Sequence, residues 1–344
     1  MDIQFIDPTC LPSWDEDIRR FPQASFFHGA AWAKVLSESY GYRPAYLTLA
    51  HAGEMTALLP VMEVTSFITG TRGVSLPFTD YCEALTPNRE ISNVLLDMIK
   101  GEGKKKGWRY IELRGGSEYL GDAPAHDFFY THKLDLSPGT AQLFKNFRDS
   151  TRRNIKKSGT AGLHVQFEST LDALKEFYRL NCLTRREHGL PPQPWAFFEN
   201  VFHHIIRPGD GLVANVLHEN KVIASNVYFR FGDTAIYKYG ASDKRYQNLR
   251  ANNLLMWEAI RRYADDGCRQ LCFGRTDPWN EGLRQFKTGW GAEESIIKYY
   301  RYSTLENSFM PARREISSVT KSIFSNMPLF LSRKIGNVLY RHFG

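Results

Sequence analysis

Apolar and polar residues alternate along GLVANVLHENKVIASNVYFRFGDTAIYKYGAS, residues 211 to 242. A period of two places successive side chains on opposite faces of a strand, and Glu219-Asn220 and Gly232-Asp233 supply turn chemistry between the runs, so this stretch predicts a three-stranded antiparallel meander. Ahead of it, LDALKEFYRLNCLTRREHG and PWAFFENVFHHII carry apolar residues at spacings of three and four and read as helices, preceded by a strand, GLHVQFE. A helix, ANNLLMWEAIRRYADDG, and a strand, RQLCFGR, follow the meander. The first half shows a similar order. DIQFI reads as a strand and SFFHGAAWAKVLSESYGY as a helix ending at Gly41. RPAYLTLA and TALLPVMEV form a hairpin around AHAGEM, ISNVLLDMIKGEGKKKG is helical, and WRYIELRG and FYTHKLDL are extended. The recurrence predicts a duplicated α+β unit with its boundary near residues 136 to 140.

A chain of 344 residues accommodates two domains, each with its own core. With 42% hydrophobic and 24% charged residues the composition is that of a folded globular protein, and no apolar run reaches the roughly eighteen residues that span a bilayer. The opening residues, MDIQFIDPTCLPSWDEDIRR, are acidic and lack the basic and apolar regions of a secretion signal, which leads to an expectation of a cytoplasmic protein. Cys10, Cys82, Cys182, Cys268 and Cys272 form no CxxC pair, so buried thiols are expected rather than a zinc or redox site. No GxSxG elbow or HExxH helix is present, and His203-His204 are adjacent rather than one turn apart, which argues against hydrolase and metalloenzyme chemistry. GEGKKKG, residues 101 to 107, lacks the GK[ST] ending of a phosphate loop and reads as a solvated turn.

Charge adds a distinction that hydropathy does not. The formal net charge is +7, and KNFRDSTRRNIKK, residues 145 to 157, holds six basic side chains against Asp149 alone. Lys145, Arg148, Arg152 and Lys156 follow spacings of three, four and four, which on one helix spanning residues 140 to 158 puts them in a row, with Phe144, Phe147 and Ile155 toward the core. Such a row, with neighbouring Arg153, is suited to phosphate oxygens, or else is a solvated face. A second basic region begins at Pro311, where Arg313, Arg314, Lys321, Arg333, Lys334 and Arg341 face only Glu315. Ile316, Val319 and Ile323, and after Pro328 Leu331, Ile335 and Val338, recur at helical spacing. This tail either packs its stripe on the protein or lies on an anionic membrane.

The order of elements, the RRNIKK helix, the meander ending in YKYGAS, the helix after RANNLLMWEAI and the stretch FGRTDPWNEGLRQFKTGWGAE together resemble the FemAB family of aminoacyl- and acyltransferases. The resemblance covers most of the chain and is most specific at RRNIKK and FGR…FKTGWG; in the first half it rests on short pieces such as WAKV and SLPF. It implies two tandem domains of the GNAT acyltransferase type, here residues 1 to 138 and 139 to 305, followed by a basic helical tail from 306 to 344. It also implies N-acyl transfer to an amine of a peptidoglycan or polysaccharide precursor of the cell envelope.

By position Phe286-Lys287 resembles the family's Phe-Lys pair that contacts the acyl donor. Lys287 is then the candidate catalytic group, its ammonium stabilising an oxyanion, while Phe286 stacks on a nucleobase and Arg275 and Asp277 shape the pocket. Two departures qualify the likeness. The segment after residue 171 is too short and proline-broken for the long antiparallel helical arm of some cross-bridge enzymes. RYQNLRANN stands where a coenzyme A-binding GNAT domain has a glycine-rich turn, leaving Arg245, Arg250 and a helix amino terminus to meet a phosphate. The expected donor is therefore aminoacyl-tRNA or an acyl-coenzyme A, with no permanently bound cofactor, an anionic phosphate-bearing substrate and no DNA partner. An acyl-coenzyme A-dependent N-acyltransferase and a non-catalytic protein that binds RNA or glycan carriers are the alternatives.

Overall fold

A computed structural model describes residues 2–312 and 327–344. Along the first part of the chain run β1 (Asp2–Ile6), α1 (Trp14–Ile18), α2 (Ala30–Tyr40), β2 (Arg43–Pro44), β3 (Tyr46–His51), β4 (Glu54–Leu59), β5 (Met62–Val64), β6 (Arg72–Val74), α3 (Arg89–Lys105), β7 (Tyr110–Arg114) and α4 (Ser117–Leu120). The second part comprises β8 (Asp127–Asp135), α5 (Thr140–Asn146), α6 (Asp149–Gly159), β9 (His164–Glu168), α7 (Leu171–Glu187), α8 (Trp195–Val201), β10 (Gly211–His218), β11 (Lys221–Phe231), β12 (Thr234–Ser242), α9 (Ala251–Asp265), β13 (Gln270–Thr276), α10 (Glu281–Thr288), β14 (Glu293–Ser303) and β15 (Ser308–Met310). A terminal helix, Leu329–Leu339, closes the chain.

Contacts divide the chain into two compact units: Met1–Phe129 with Ile296–Glu315 and Val338–Gly344, and Tyr130–Ser295 with Ile316–Asn337. The sequence reading placed one break near 136 to 140; the units instead interleave, because β8 starts the second unit and most of β14 completes the sheet of the first.

In the first unit, β1, β3 and β4 form a small antiparallel sheet. A second sheet runs β2-β5-β6-β7-β14, with β6 and β7 parallel and β15 added on β14. Gly41 ends α2 in the left-handed region (φ 72°), as its position predicted. GEGKKKG is helical through Lys105, and only Lys106-Gly107 form the turn expected of it. α3 continues to Lys105 because Gly103 lets Trp108 and Ile111 approach the helix closely: a Cβ there would meet Trp108 at 3.1 Å.

Buried charge holds this unit's SLPF loop. Arg114 bonds Glu112 through Nε at 2.9 Å and donates to the carbonyls of Leu76 and Thr79. Arg301 reaches the other Glu112 oxygen at 2.8 Å. Burial alone would raise the Glu112 pKa, but the two guanidinium groups hold it down at about 2. The loop they clamp contains Leu76 and Phe78 at φ 55° and 60°, a conformation that side-chain-bearing residues keep only when surrounding bonds enforce it.

The second unit is a six-stranded sheet ordered β9-β10-β11-β12-β13-β8, antiparallel except for β12 with β13. Glu219 and Asn220, both at positive φ, make the two-residue turn that the sequence predicted. Leu255, Met256, Ala259 and Ile260 of α9 pack on Ala214, Val216, Ala224 and Tyr228. On the opposite face Asn215 donates to the Ala173 carbonyl of α7, and Phe177, Phe198 and Tyr239 form an aromatic cluster. The expected single basic helix is two. α5 ends at Asn146, and Arg148 (ψ 144°) starts α6, so Lys145 does not share a helix with Arg152 and Lys156.

His28 and His132 are fully buried and their pKa values lie below the ordinary 6.5, chiefly through desolvation. His28 is held neutral: the Ser25 amide donates to Nδ1, and Nε2 donates to the Glu83 carbonyl. The unfolded chain therefore binds protons that the folded chain refuses. Stability should be full above pH 6.5 and decline below it until the folded pKa values are reached, each histidine adding a slope of up to about 1.4 kcal/mol per pH unit. Urea unfolding between pH 7.5 and 5 (roughly the window of histidine titration) checks this, and His28→Gln should shallow the slope.

Candidate active site

The C-terminal part of the second unit gathers the chemistry. β13 is bulged where its register against β8 shifts between Cys272 and Arg275, and Gly274 at the bulge has φ 65°, a conformation cheap for glycine. The bulge turns two carbonyls toward α10. Lys287 Nζ donates to Gly274 O at 3.1 Å and Arg275 O at 3.0 Å, and the residue is only 2% exposed. Helix α10 aims it there: Asn280 caps the helix by accepting from the Leu283 amide at 3.1 Å, and Phe286 packs edge-on to Trp290 at 5.8 Å. Phe286 is accordingly half-buried in the core cluster, the arrangement of a supporting residue as much as of a stacking platform. Arg275 is exposed at the end of β13, Asp277 is half-buried in the turn into α10, and Trp279 beside it is 63% exposed.

Beside Lys287 lies an ion-paired chain that sequence reading missed. Arg284 holds Glu294 with two bonds of 2.6 Å, Glu294 meets His132 Nε2 at 3.0 Å, and the Arg284 guanidinium lies 4.0 Å over the Tyr130 ring. Hydrogen bonds from Arg284 hold the Glu294 pKa below the usual carboxylate value. Burial, and then the Lys287 charge, depress the His132 pKa. A neutral His132 that donates from Nε2 to the carboxylate presents its lone pair at Nδ1, which is buried and has no hydrogen-bond partner among the described residues. The only signal in the sequence was an inward-facing histidine in the alternating FYTHKLDL.

The two most specific motifs meet in space. The Arg148 amide donates to Gly289 O at 3.0 Å, a Cβ on Gly289 would fall 2.7 Å from Thr151 Oγ1, and Phe147 packs on Trp290 at 5.0 Å. The basic segment is thus anchored to FKTGWG. Its charges are not equivalent. Arg152 donates to the Lys145 carbonyl at 2.9 Å and pairs with Asp149, so it caps α5 and staples the break between the helices. Lys145, Arg148, Arg153, Lys156 and Lys157 are exposed, and Arg153, Lys156 and Lys157 share a face of α6 through spacings of three and four. Arg245 and Arg250 lie on a separate loop before α9. Arg245 is tied to Asp243 by a bond of 2.6 Å, while Arg250 adopts a left-handed conformation (φ 60°) at the helix start, with Nε buried and without a partner among the described residues.

Residues 145–290 match the sequence profile of the acetyltransferase (GNAT) domain. The second unit carries a GNAT domain. Among solved structures, FemX aligns with 87% of this chain and 97% of its own at a TM-score of 0.68 and 14% identity. A tandem GNAT protein from the clavulanic acid biosynthesis pathway covers 88% and 99% at 0.54 and 10% identity, and L-PGS from Bacillus licheniformis covers 97% and 99% at 0.52 and 12%. At these identities the likeness establishes the fold: two GNAT-like domains in tandem. No curated protein sequence matches the chain. Within the GNAT domain, the carbonyl-bound Lys287 and the oriented His132 adjoin the bulged strand.

The charges on α6 separate into two classes with different outcomes. Replacing Arg153, Lys156 and Lys157 by Gln should reduce the slope of log affinity against log salt for single-stranded RNA by about 0.7 per phosphate contact removed, measured by fluorescence anisotropy. Arg152→Gln should instead lower the melting temperature and leave that slope nearly unchanged.

Proposed function

We propose that the protein is an N-acyltransferase that moves an aminoacyl or acyl group from an activated ester or thioester onto an amine of a cell-envelope precursor. The observation that carries this reading is Lys287, an ammonium fixed by two backbone carbonyls at the bulge of a GNAT domain. The FemAB resemblance of RRNIKK and FKTGWG supports the envelope acceptor, and so does the likeness of the whole chain to FemX.

In the proposed reaction the acceptor amine attacks the donor carbonyl, charge develops on the carbonyl oxygen, and the bond to the donor's ribose oxygen or thiol sulfur breaks. Lys287 supplies positive charge where the oxyanion forms, in a site already desolvated, where such stabilisation is strongest. The attacking amine loses a proton to solvent and the leaving oxygen or sulfur takes one up; His132 Nδ1 is buried, so the neutral ring held by Glu294 positions the site rather than meeting the amine. The exposed cations of α6 suit the phosphates of a tRNA donor or a nucleotide-linked acceptor. For an acyl-coenzyme A donor the supporting observation is Arg250, left-handed without being glycine at the start of α9, whose guanidinium rather than a close-approaching backbone would meet a pyrophosphate.

Lys287→Met should lower turnover by roughly a hundredfold or more with the acceptor KM nearly unchanged. It should also destabilise the fold by about 1 to 3 kcal/mol, because the Gly274 and Arg275 carbonyls lose their donor. Rates are therefore compared at a temperature where circular dichroism shows parent and variant equally folded. Equal turnover under those conditions would remove Lys287 from the mechanism.

A further inference from the structure

The first unit carries an apolar projection that the chemistry of the second does not use. Between β5 and β6 the chain turns through TSFITGT, residues 65 to 71. Phe67 at its tip is 87% exposed and Ile68 51%. The loop is not a loose excursion. Ser66 Oγ accepts from the amides of Ile68 and Thr69, and its hydroxyl also meets His342 Nδ1 at 3.0 Å. The Phe67 ring stands edge-on to the His342 imidazole at 4.5 Å, and Thr69 Oγ1 donates to the His342 carbonyl. Buried Arg72 locks the arrangement by donating to the carbonyls of His342 and Gly344. The neighbouring Phe343 and Val338 are 59% and 57% exposed.

The charge around this projection is predominantly basic. Arg109 crosses the loop: its Cδ lies where a Cβ on Gly70 would sit, and Nη1 donates to Thr69 O at 3.3 Å. Arg341 is exposed in the adjoining turn. Neither residues 65 to 71 nor residues 340 to 344 contain a carboxylate side chain. Beside Thr65 and Thr71 opens a groove of about 450 Å³ lined also by Arg43, Lys106 and Glu63, in which the single carboxylate is met by both cations.

We infer that the β5–β6 loop and the C-terminal turn form a membrane-docking surface, in which Phe67 and Ile68 enter the interface of an anionic bilayer while Arg109 and Arg341 pair with lipid phosphates. A rigidly held aromatic and aliphatic tip within a basic rim is the distribution an interfacial anchor requires, since apolar area supplies insertion and cations supply selectivity for anionic lipid. An exposed Phe-Ile pair on a well-tied loop otherwise gains nothing from solvent. The inference stands independently of the proposed reaction.

The terminal helix bears on it as well. Its buried positions are Ser332 and Gly336, the latter so close to Pro192 that a Cβ would fall 2.2 Å from the carbonyl oxygen. Phe330, Leu331, Lys334 and Val338 are left exposed on the same helix. Of the stripe Leu331, Ile335 and Val338 only Ile335 is half-buried, and Ile316, Val319, Ile323, Arg313, Arg314 and Lys321 lie outside the described residues.

Sedimentation with vesicles of phosphatidylcholine, with and without phosphatidylglycerol, tests the inference on the full chain. Truncation after Met310 is unsuitable, because it strips buried Arg72 of the His342 and Gly344 carbonyls. The protein should bind vesicles containing phosphatidylglycerol and be released by salt. Phe67→Ser with Ile68→Ser should weaken binding by about tenfold or more with at most a small change in melting temperature, as Phe67 is 87% and Ile68 51% exposed. Arg341→Glu should weaken it further. Failure to bind phosphatidylglycerol vesicles at low salt, or equal binding by the Phe67/Ile68 variant, would overturn the inference. A concentration-dependent dimer that the same variant dissolves, without vesicle binding, would also overturn it and assign the patch to a second copy of the chain.

Discussion

An ammonium group removed from water must be met by oxygen, and in this protein the oxygen comes from a strand that has been bent to provide it. Lys287 lies in the core side of α10, and the Gly274 and Arg275 carbonyls at the β13 bulge receive its protons. The rest of the local arrangement follows. Gly274 is needed for the left-handed turn of the bulge, Asn280 fixes the start of α10, and the FKTGWG stretch that follows binds the first turn of α6 through Gly289 and Trp290. Two segments that are separated in sequence and distinct in charge become one constellation.

Compensated buried charge also organises the first unit. Glu112 between Arg114 and Arg301 fixes the carbonyls of a loop whose Leu76 and Phe78 adopt an unfavourable backbone conformation, and Arg72 ties the C-terminal turn. Such pairs give little net stability over an apolar core of equal volume, and breaking one partner is costly. Their value here is positional. They set the geometry of loops that apolar packing alone leaves free.

The meander, α9 and the duplicated plan were legible because each rests on local rules: alternation, helical spacing and turn residues such as Glu219-Asn220. Lys287 was singled out through resemblance, while its burial against the Gly274 and Arg275 carbonyls had no signal in the sequence. The break between α5 and α6 escaped notice because Phe144, Phe147 and Ile155 keep an inward spacing across it, while the cause, the Gly289 carbonyl accepting from Arg148, lies far along the chain. His132 escaped for the same reason: its partner Glu294 is 162 residues away. For the terminal helix the sequence left packing and a membrane face open. Close approach to Pro192 admits only small residues, so Ser332 and Gly336 occupy the packed side while Leu331 and Val338 stay exposed.

Transfer of an acyl group to an amine can be read directly by mass spectrometry of peptidoglycan and polysaccharide precursors incubated with the purified protein and either aminoacyl-tRNA or acyl-coenzyme A. One donor should give a precursor heavier by the donated carboxylic or amino acid less water, with the new bond stable to mild base as an amide is and an ester is not. An unchanged precursor with both donors, from protein shown to be folded, would contradict it.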